Sequence, residues 1–146
     1  MKARVVTKVT ISASPVAVFA YLKNLEHHYL WNPALQRLSS IKPLKLGMEY
    51  KSVRMVLGKQ LKATNTVTAF INNRELQLEN NTGMIHYCVN YKLKSQGKNT
   101  VLTCSTSVSA ESKAFAFAKP VLEILARREL QSDLQALKVA VEQRLQ

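Results

Sequence analysis

A handful of polar residues sit in segments where an otherwise apolar strand face would gather them: Tyr50, Arg54, Asn65, Tyr87, Tyr91 and Thr106. Each lies in a stretch that alternates apolar with polar residues, and counting by twos puts all of them on the apolar side. Leu78 shares that side in ELQLE, and Phe117, Val121 and Leu125 face it from a helical segment near the C-terminus. Three phenols, an amide, a guanidinium and a hydroxyl among aliphatics suit a pocket for an apolar ligand carrying one or two polar groups. The phenols carry the most weight, because a buried hydroxyl requires a partner. Arg54 would anchor a ligand carboxylate or phosphate, unless a bulge turns it to solvent and lets Val53 or Met55 take the inner side. The bland alternative at every one of these positions is core packing.

Other reactive groupings do not emerge. No Ser, His and acid set shares a face, and Glu49, Glu75 and Glu79 have outward parity, so the inner face reads as free of carboxylates. A cyclase or dehydrase needs an acid or base in its pocket. Only the tyrosines or Arg54 are on hand for that, and no catalytic residue is assigned. His27 and His28 are adjacent, so on a helix they point about 100° apart and cannot easily share a metal. His86 stands alone, and neither a metal nor a cofactor is expected. Cys88 has outward parity and Cys104 inward parity, and thiols on opposite faces of a sheet cannot bridge. Two free thiols fit a reducing compartment.

The elements that must position these residues follow from periodicity. Arg4 to Ser12 alternates as a strand; Ser14-Pro15 then offers an N-cap hydroxyl and a proline at the first helical position, opening a short helix that ends near Asn24. A second short helix runs from about Glu26 to Trp31 and stops at Asn32-Pro33. Strand-like alternation then predicts Leu35 to Lys42, Met48 to Leu57, Gln60 to Ile71, Arg74 to Glu79, Met84 to Lys94 and Thr100 to Ala110, joined by short turns. Short turns between consecutive strands make an antiparallel meander, apolar on one face and polar on the other.

The last segment, Phe115 to Leu145, reads as one long helix. Leu122, Ala126, Leu130, Leu134, Leu137, Val141 and Leu145 recur at steps of three and four, while Glu123, Arg127, Arg128, Asp133, Lys138 and Glu142 are read as the opposite side. At roughly 35 to 40 Å it needs a long apolar surface, and the sheet is the only candidate. The fold class is therefore α+β: a curved seven-stranded antiparallel sheet around a long C-terminal helix, with two short helices between the first two strands. A single helix cannot fill such a sheet, so space should remain beside it.

The chain has 146 residues with 47% hydrophobic, enough for one domain, 1–146, with a real core. No stretch has the length of a bilayer span or the block pattern of a signal peptide, so a cytoplasmic protein is expected. Lys and Arg number 21 against 9 Asp and Glu, a formal net charge of +12. That surface would attract nucleic acid or an anionic membrane. Yet the cations are scattered, and the aromatics that nucleic-acid binding wants among them mostly point inward. Net charge alone supports such partners.

Several residues resemble a known family. Ile11, Ala13 and Pro15, then Val18 and Phe19, then Trp31 and Pro33 are similar to the opening of the SRPBCC superfamily, with its I-x-A-x-P segment, V-F or V-W pair and W-x-P turn. The likeness continues at Gly47 and Tyr50, and in Leu134, Leu137, Lys138 and Glu142 of the last helix. It spans essentially the whole chain. The resemblance implies a helix-grip fold around a hydrophobic cavity, as in START lipid-transfer domains and polyketide cyclase-like proteins. It implies binding or transport of a small hydrophobic molecule, lipid-like or aromatic, with a cyclase or dehydrase-type reaction in the same cavity as the alternative.

Overall fold

The structure, a computed structural model, describes residues 2–56, 58–110 and 119–144, with the side chains of 119–122 excepted. The element order is β1 (Lys2–Ile11), α1 (Pro15–Lys23), α2 (Leu25–Trp31), β2 (Leu35–Leu38), β3 (Glu49–Val56), β4 (Lys59–Ile71), β5 (Glu75–Asn80), β6 (Ile85–Gln96), β7 (Asn99–Ala110) and α3 (Lys119–Arg144). The strands form one antiparallel 7-stranded sheet in the order β1-β7-β6-β5-β4-β3-β2. The expected meander runs from β2 to β7, and β1 pairs with β7 at the end of it. The α1–α2 insertion thus carries the chain from one edge of the sheet to the other.

The insertion is held by its own backbone. Ser14 caps α1 by accepting from the Ala17 N–H at 3.3 Å, with Pro15 at the first helical position. Val18, Phe19 and Leu22 are buried, and α2 packs Leu25, His28 and Trp31 beside them. Two carbonyls of the last turns of α1 find partners on α2: Trp31 Nε1 donates to Tyr21 O at 3.1 Å, and His28 Nε2 meets Leu22 O at 2.7 Å. The two helices are therefore one unit, which answers the orphan-carbonyl problem of a helix C-terminus.

The sheet bends where its register slips. Along β4, Ala63, Asn65 and Val67 face inward, and a shift between Val67 and Ala69 then changes the parity. Phe70 pairs with Leu76 and meets Phe19 edge-on at 5.3 Å, while Ile71 is left exposed. An extra residue of this kind kinks a strand and increases its twist. At the turn into β5, Asn73 takes φ 62°, a left-handed conformation that Asn tolerates better than most residues.

Helix α3 buries Leu130, Leu134, Leu137 and Val141, as its periodicity requires. It packs chiefly along β1 and against α2. Its C-terminal half is tied to the end of β1: Lys138 Nζ donates to Thr10 O at 2.8 Å, and Glu142 Oε1 accepts from Ser12 N–H at 3.2 Å. Lys138 and Glu142 also pair with each other at 2.8 Å. Asp133, expected on the outer side, is instead buried, and no helix among the described residues is long and apolar enough to cross a membrane.

Leu137 is fully enclosed and Arg128 is exposed. Leu137→Ala should lower unfolding free energy by about 2–5 kcal/mol, and Arg128→Ala should change it by less than about 0.5 kcal/mol. Urea denaturation of both variants measures the difference; equal effects would mean that the helix presents another face to the sheet.

Candidate functional site

Because α3 leans on β1, the inner faces of β3 to β6 are left uncovered beneath its N-terminal half. The result is a cavity of about 610 Å³ bounded by those strands, by Thr106 and Val108 of β7, by α2 and the start of β2, and by Leu125, Ala126, Glu129, Leu130 and Asp133 of α3. Its volume is in the range of small-molecule sites.

Tyr50, Arg54, Asn65, Leu78, Tyr87, Tyr91, Thr106 and Leu125 all line this space. Phe117 lies outside the described residues, as does the side chain of Val121, whose backbone belongs to α3. The strand residues converge because pairing is continuous where it matters: β3 and β4 stay in register from Glu49 opposite Thr66 to Val56 opposite Lys59. Tyr50, Ser52 and Arg54 consequently share the inner face, opposite Asn65, Ala63 and Leu61. Arg54 keeps to the inner face although β2 slips register opposite Arg54 and Val53.

At one wall, Asn65 is the hub of a small polar network. Tyr87 donates its phenol proton to Asn65 Oδ1, and Asn65 Nδ2 donates to Ser52 Oγ at 2.9 Å and, more loosely, to Tyr50 O at 3.4 Å. Ser52, which carries no sequence expectation, is buried here, and its even-numbered position beside Tyr50 and Arg54 was the available signal. Trp31 meets Tyr91 edge-on with ring centroids 6.0 Å apart. Burial raises the Tyr50, Tyr87 and Tyr91 phenols above their ordinary range, so all three remain protonated.

The other wall overturns the expectation of an inner face without carboxylates. Arg54 Nη2 forms a close ion pair with Glu129 and lies 4.0 Å from Asp133 Oδ2. Both acids come from α3 and not from the strands; Glu49, Glu75 and Glu79 do sit at outer-face positions of the sheet. The signal was present, since steps of four from Leu125 lead to Glu129 and Asp133. A pattern read for hydrophobicity alone passes over it, because the flank of the stripe becomes interior only where the helix overhangs a hollow. Arg54 is thus already engaged by protein carboxylates, which corrects its reading as an open anchor for a ligand carboxylate or phosphate. Its Nε is buried and without a hydrogen-bond partner among the described residues.

Burial raises the Asp133 carboxyl to about 7 against the pull of Arg54. Burial also lowers His28 to about 4, so the imidazole at the cavity wall is neutral. Of the other histidines, His27 stacks on Tyr21 at 4.6 Å and His86 is exposed. Chemically, the site offers protonated phenols, one guanidinium and a carboxyl able to hold or release a proton near neutrality. Cys104 is buried and Cys88 half-buried, and both are free thiols, in keeping with their opposite parities.

The two shifted groups act on stability with opposite signs. Folded Asp133 keeps a proton that the unfolded chain has lost between about pH 4 and 7, so it makes stability fall as pH rises through that window. Folded His28 lacks a proton that the unfolded chain binds between about pH 4 and 6.5, so it makes stability rise there. Asp133→Asn should remove the first contribution and leave stability climbing with pH across that interval. Urea midpoints of the wild type and the variant test this; an unchanged profile would mean that Asp133 titrates normally.

No curated protein matches the chain in sequence. Solved structures match it over their whole length. A START superfamily protein from Mycobacterium smegmatis superposes with TM-score 0.81 at 17% identity, covering 96% of this chain and 97% of that one. The Zhui aromatase/cyclase from a Streptomyces species gives 0.82 at 15%, covering 100% and 97%. A norcoclaurine synthase point mutant from Thalictrum gives 0.74 at 13%, covering 100% and 98%. At such identities these likenesses establish the helix-grip fold. The profile of the family described as polyketide cyclase / dehydrase and lipid transport matches residues 2–142. By that match the chain belongs to the polyketide cyclase/dehydrase and lipid transport family.

Proposed function

We propose that this protein is a cytoplasmic binder or carrier of a small hydrophobic molecule, held in the cavity between the sheet and α3. The observation that carries the reading is the hollow itself: about 610 Å³, walled largely by apolar side chains, with a few polar groups gathered at two places. Leu78, Val89, Leu125 and Tyr91 supply apolar contact, and Tyr50, Arg54, Asn65, Tyr87 and Thr106 supply the polar contacts of the site. The family description names lipid transport alongside cyclase and dehydrase chemistry. Free thiols agree with a reducing compartment.

One observation favours a second reading, catalysis of the cyclase or dehydrase kind. Asp133 is a buried acid held near neutrality in the cavity wall, within 4.0 Å of the Arg54 guanidinium. A carboxyl tuned toward neutral pH can exchange protons with a bound substrate. Binding alone does not require that tuning. The high net charge supports no comparable site, since nucleic-acid or membrane binding rests on scattered cations.

The neutral fluorophore N-phenyl-naphthylamine should brighten on mixing with the protein and saturate at one site. Val89→Trp, which fills the cavity from β6, should weaken that binding by at least about tenfold while leaving the fold intact by circular dichroism. Native mass spectrometry of the purified protein should show a bound apolar compound that denaturation releases. Saturation unaffected by Val89→Trp would place the ligand elsewhere and defeat the proposal.

A further inference from the structure

The charged wall says what kind of polar end the ligand carries. Among the described side chains of the cavity, Arg54 is the one cation in the interior, and Lys62 is exposed at the rim. Glu129 neutralises Arg54 by direct pairing, and Asp133 stands beside both. His28 is neutral, its Nε2 engaged by the Leu22 carbonyl. The interior is thus uncharged or negative, never positive. An anionic head group would lose its hydration and find the one guanidinium already neutralised by Glu129, which is strongly unfavourable in a partly dry site.

One polar group of this cluster remains unmet. The Asp133 carboxyl lines the cavity and makes no hydrogen bond to the described residues, whereas Arg54 and Glu129 are paired with each other and Arg54 Nε is closed off from the cavity. Asp133 lies at 4.0 Å from Arg54 Nη2, beyond direct hydrogen-bonding reach, and no other ion-pair partner is present among the described residues. A buried polar group left unpaired is costly, so a ligand that pairs with the Asp133 carboxyl gains affinity and specificity together. A hydroxyl is the small group that both accepts and donates. An ammonium only donates, and a carboxylate only accepts.

We infer that the cavity takes an uncharged apolar molecule bearing a hydroxyl, which pairs with the Asp133 carboxyl by accepting its proton or by donating to it once it is ionised, and that it rejects ligands ending in carboxylate or phosphate. This rests on the cavity being a ligand site, as proposed above. The neighbouring Tyr87, Asn65 and Ser52 side chains pair with one another, so the discriminating contacts are those of Arg54, Glu129 and Asp133.

Displacement of N-phenyl-naphthylamine by decanol, decanoate, decyl phosphate and decylammonium tests the inference, because these share one tail and differ only in the end group. At about pH 6, where Asp133 holds its proton and the Arg54–Glu129 pair leaves the wall neutral, decanol should displace the probe at least about tenfold more tightly than either anion. The double variant Glu129→Gln with Asp133→Asn leaves Arg54 uncompensated, and it should invert the order so that decanoate outcompetes decanol. Decanoate or decyl phosphate matching decanol on the wild type would overturn the inference, and so would decylammonium ahead of decanol, which would make the site one for cations. The wild-type ranking decides even if the double variant does not fold. A probe that binds while the ranking fails would leave the carrier reading standing; a probe that does not bind would defeat both.

Discussion

The structure depends on where α3 is fastened. Its C-terminal half is sealed against β1 by Leu134, Leu137 and Val141, and is tied at the edge by Lys138 and Glu142 to the backbone of Thr10 and Ser12. A straight helix fixed along one edge of a curved sheet cannot also cover the middle of that sheet. The N-terminal half therefore bridges open space, and the strands beneath it keep an exposed apolar face indoors. The cavity is a geometric consequence of that fastening. The paired helices α1 and α2 then close one side, held together through the Leu22 and Tyr21 carbonyls.

That arrangement gives one helix two environments. Toward the C-terminus its inward residues are aliphatic, as packing against a strand demands. Toward the N-terminus the row Leu125, Glu129, Asp133 turns from apolar to acidic over the hollow, where Arg54 waits on β3. At 4 Å and an effective dielectric constant near 20, one such attraction is worth about 4 kcal/mol. The desolvation of each ion costs several kcal/mol in return. The cluster is accordingly not a clear source of stability, and its place in the cavity wall is what the proposed ligand selectivity draws on.

Family membership sets the frame and leaves the chemistry open. The same fold carries an aromatase/cyclase, a norcoclaurine synthase variant and a START superfamily protein among its neighbours, all at low sequence identity. What distinguishes one user of the fold from another is the handful of side chains in the hollow. Here they comprise three protonated phenols, a self-satisfied Asn65 network and a charge cluster whose net sign is not positive.

Much of this was determined by sequence alone. Period-two alternation predicts the strands and the inner positions Tyr50, Arg54, Asn65, Tyr87, Tyr91 and Thr106, because pleat direction is a local property of the chain. Helical spacing likewise predicts the stripe from Leu130 to Val141, and Ser14-Pro15 marks the start of α1. Tertiary structure decided the rest. The pairing of β1 with β7, the parity change after Val67 and the tilt of α3 arise from contacts between segments distant along the chain, which periodicity does not encode. For the same reason Asp133 reads as an outer residue and proves to be interior: whether a helix flank meets solvent or a cavity depends on what lies across from it, and only the folded chain supplies that neighbour.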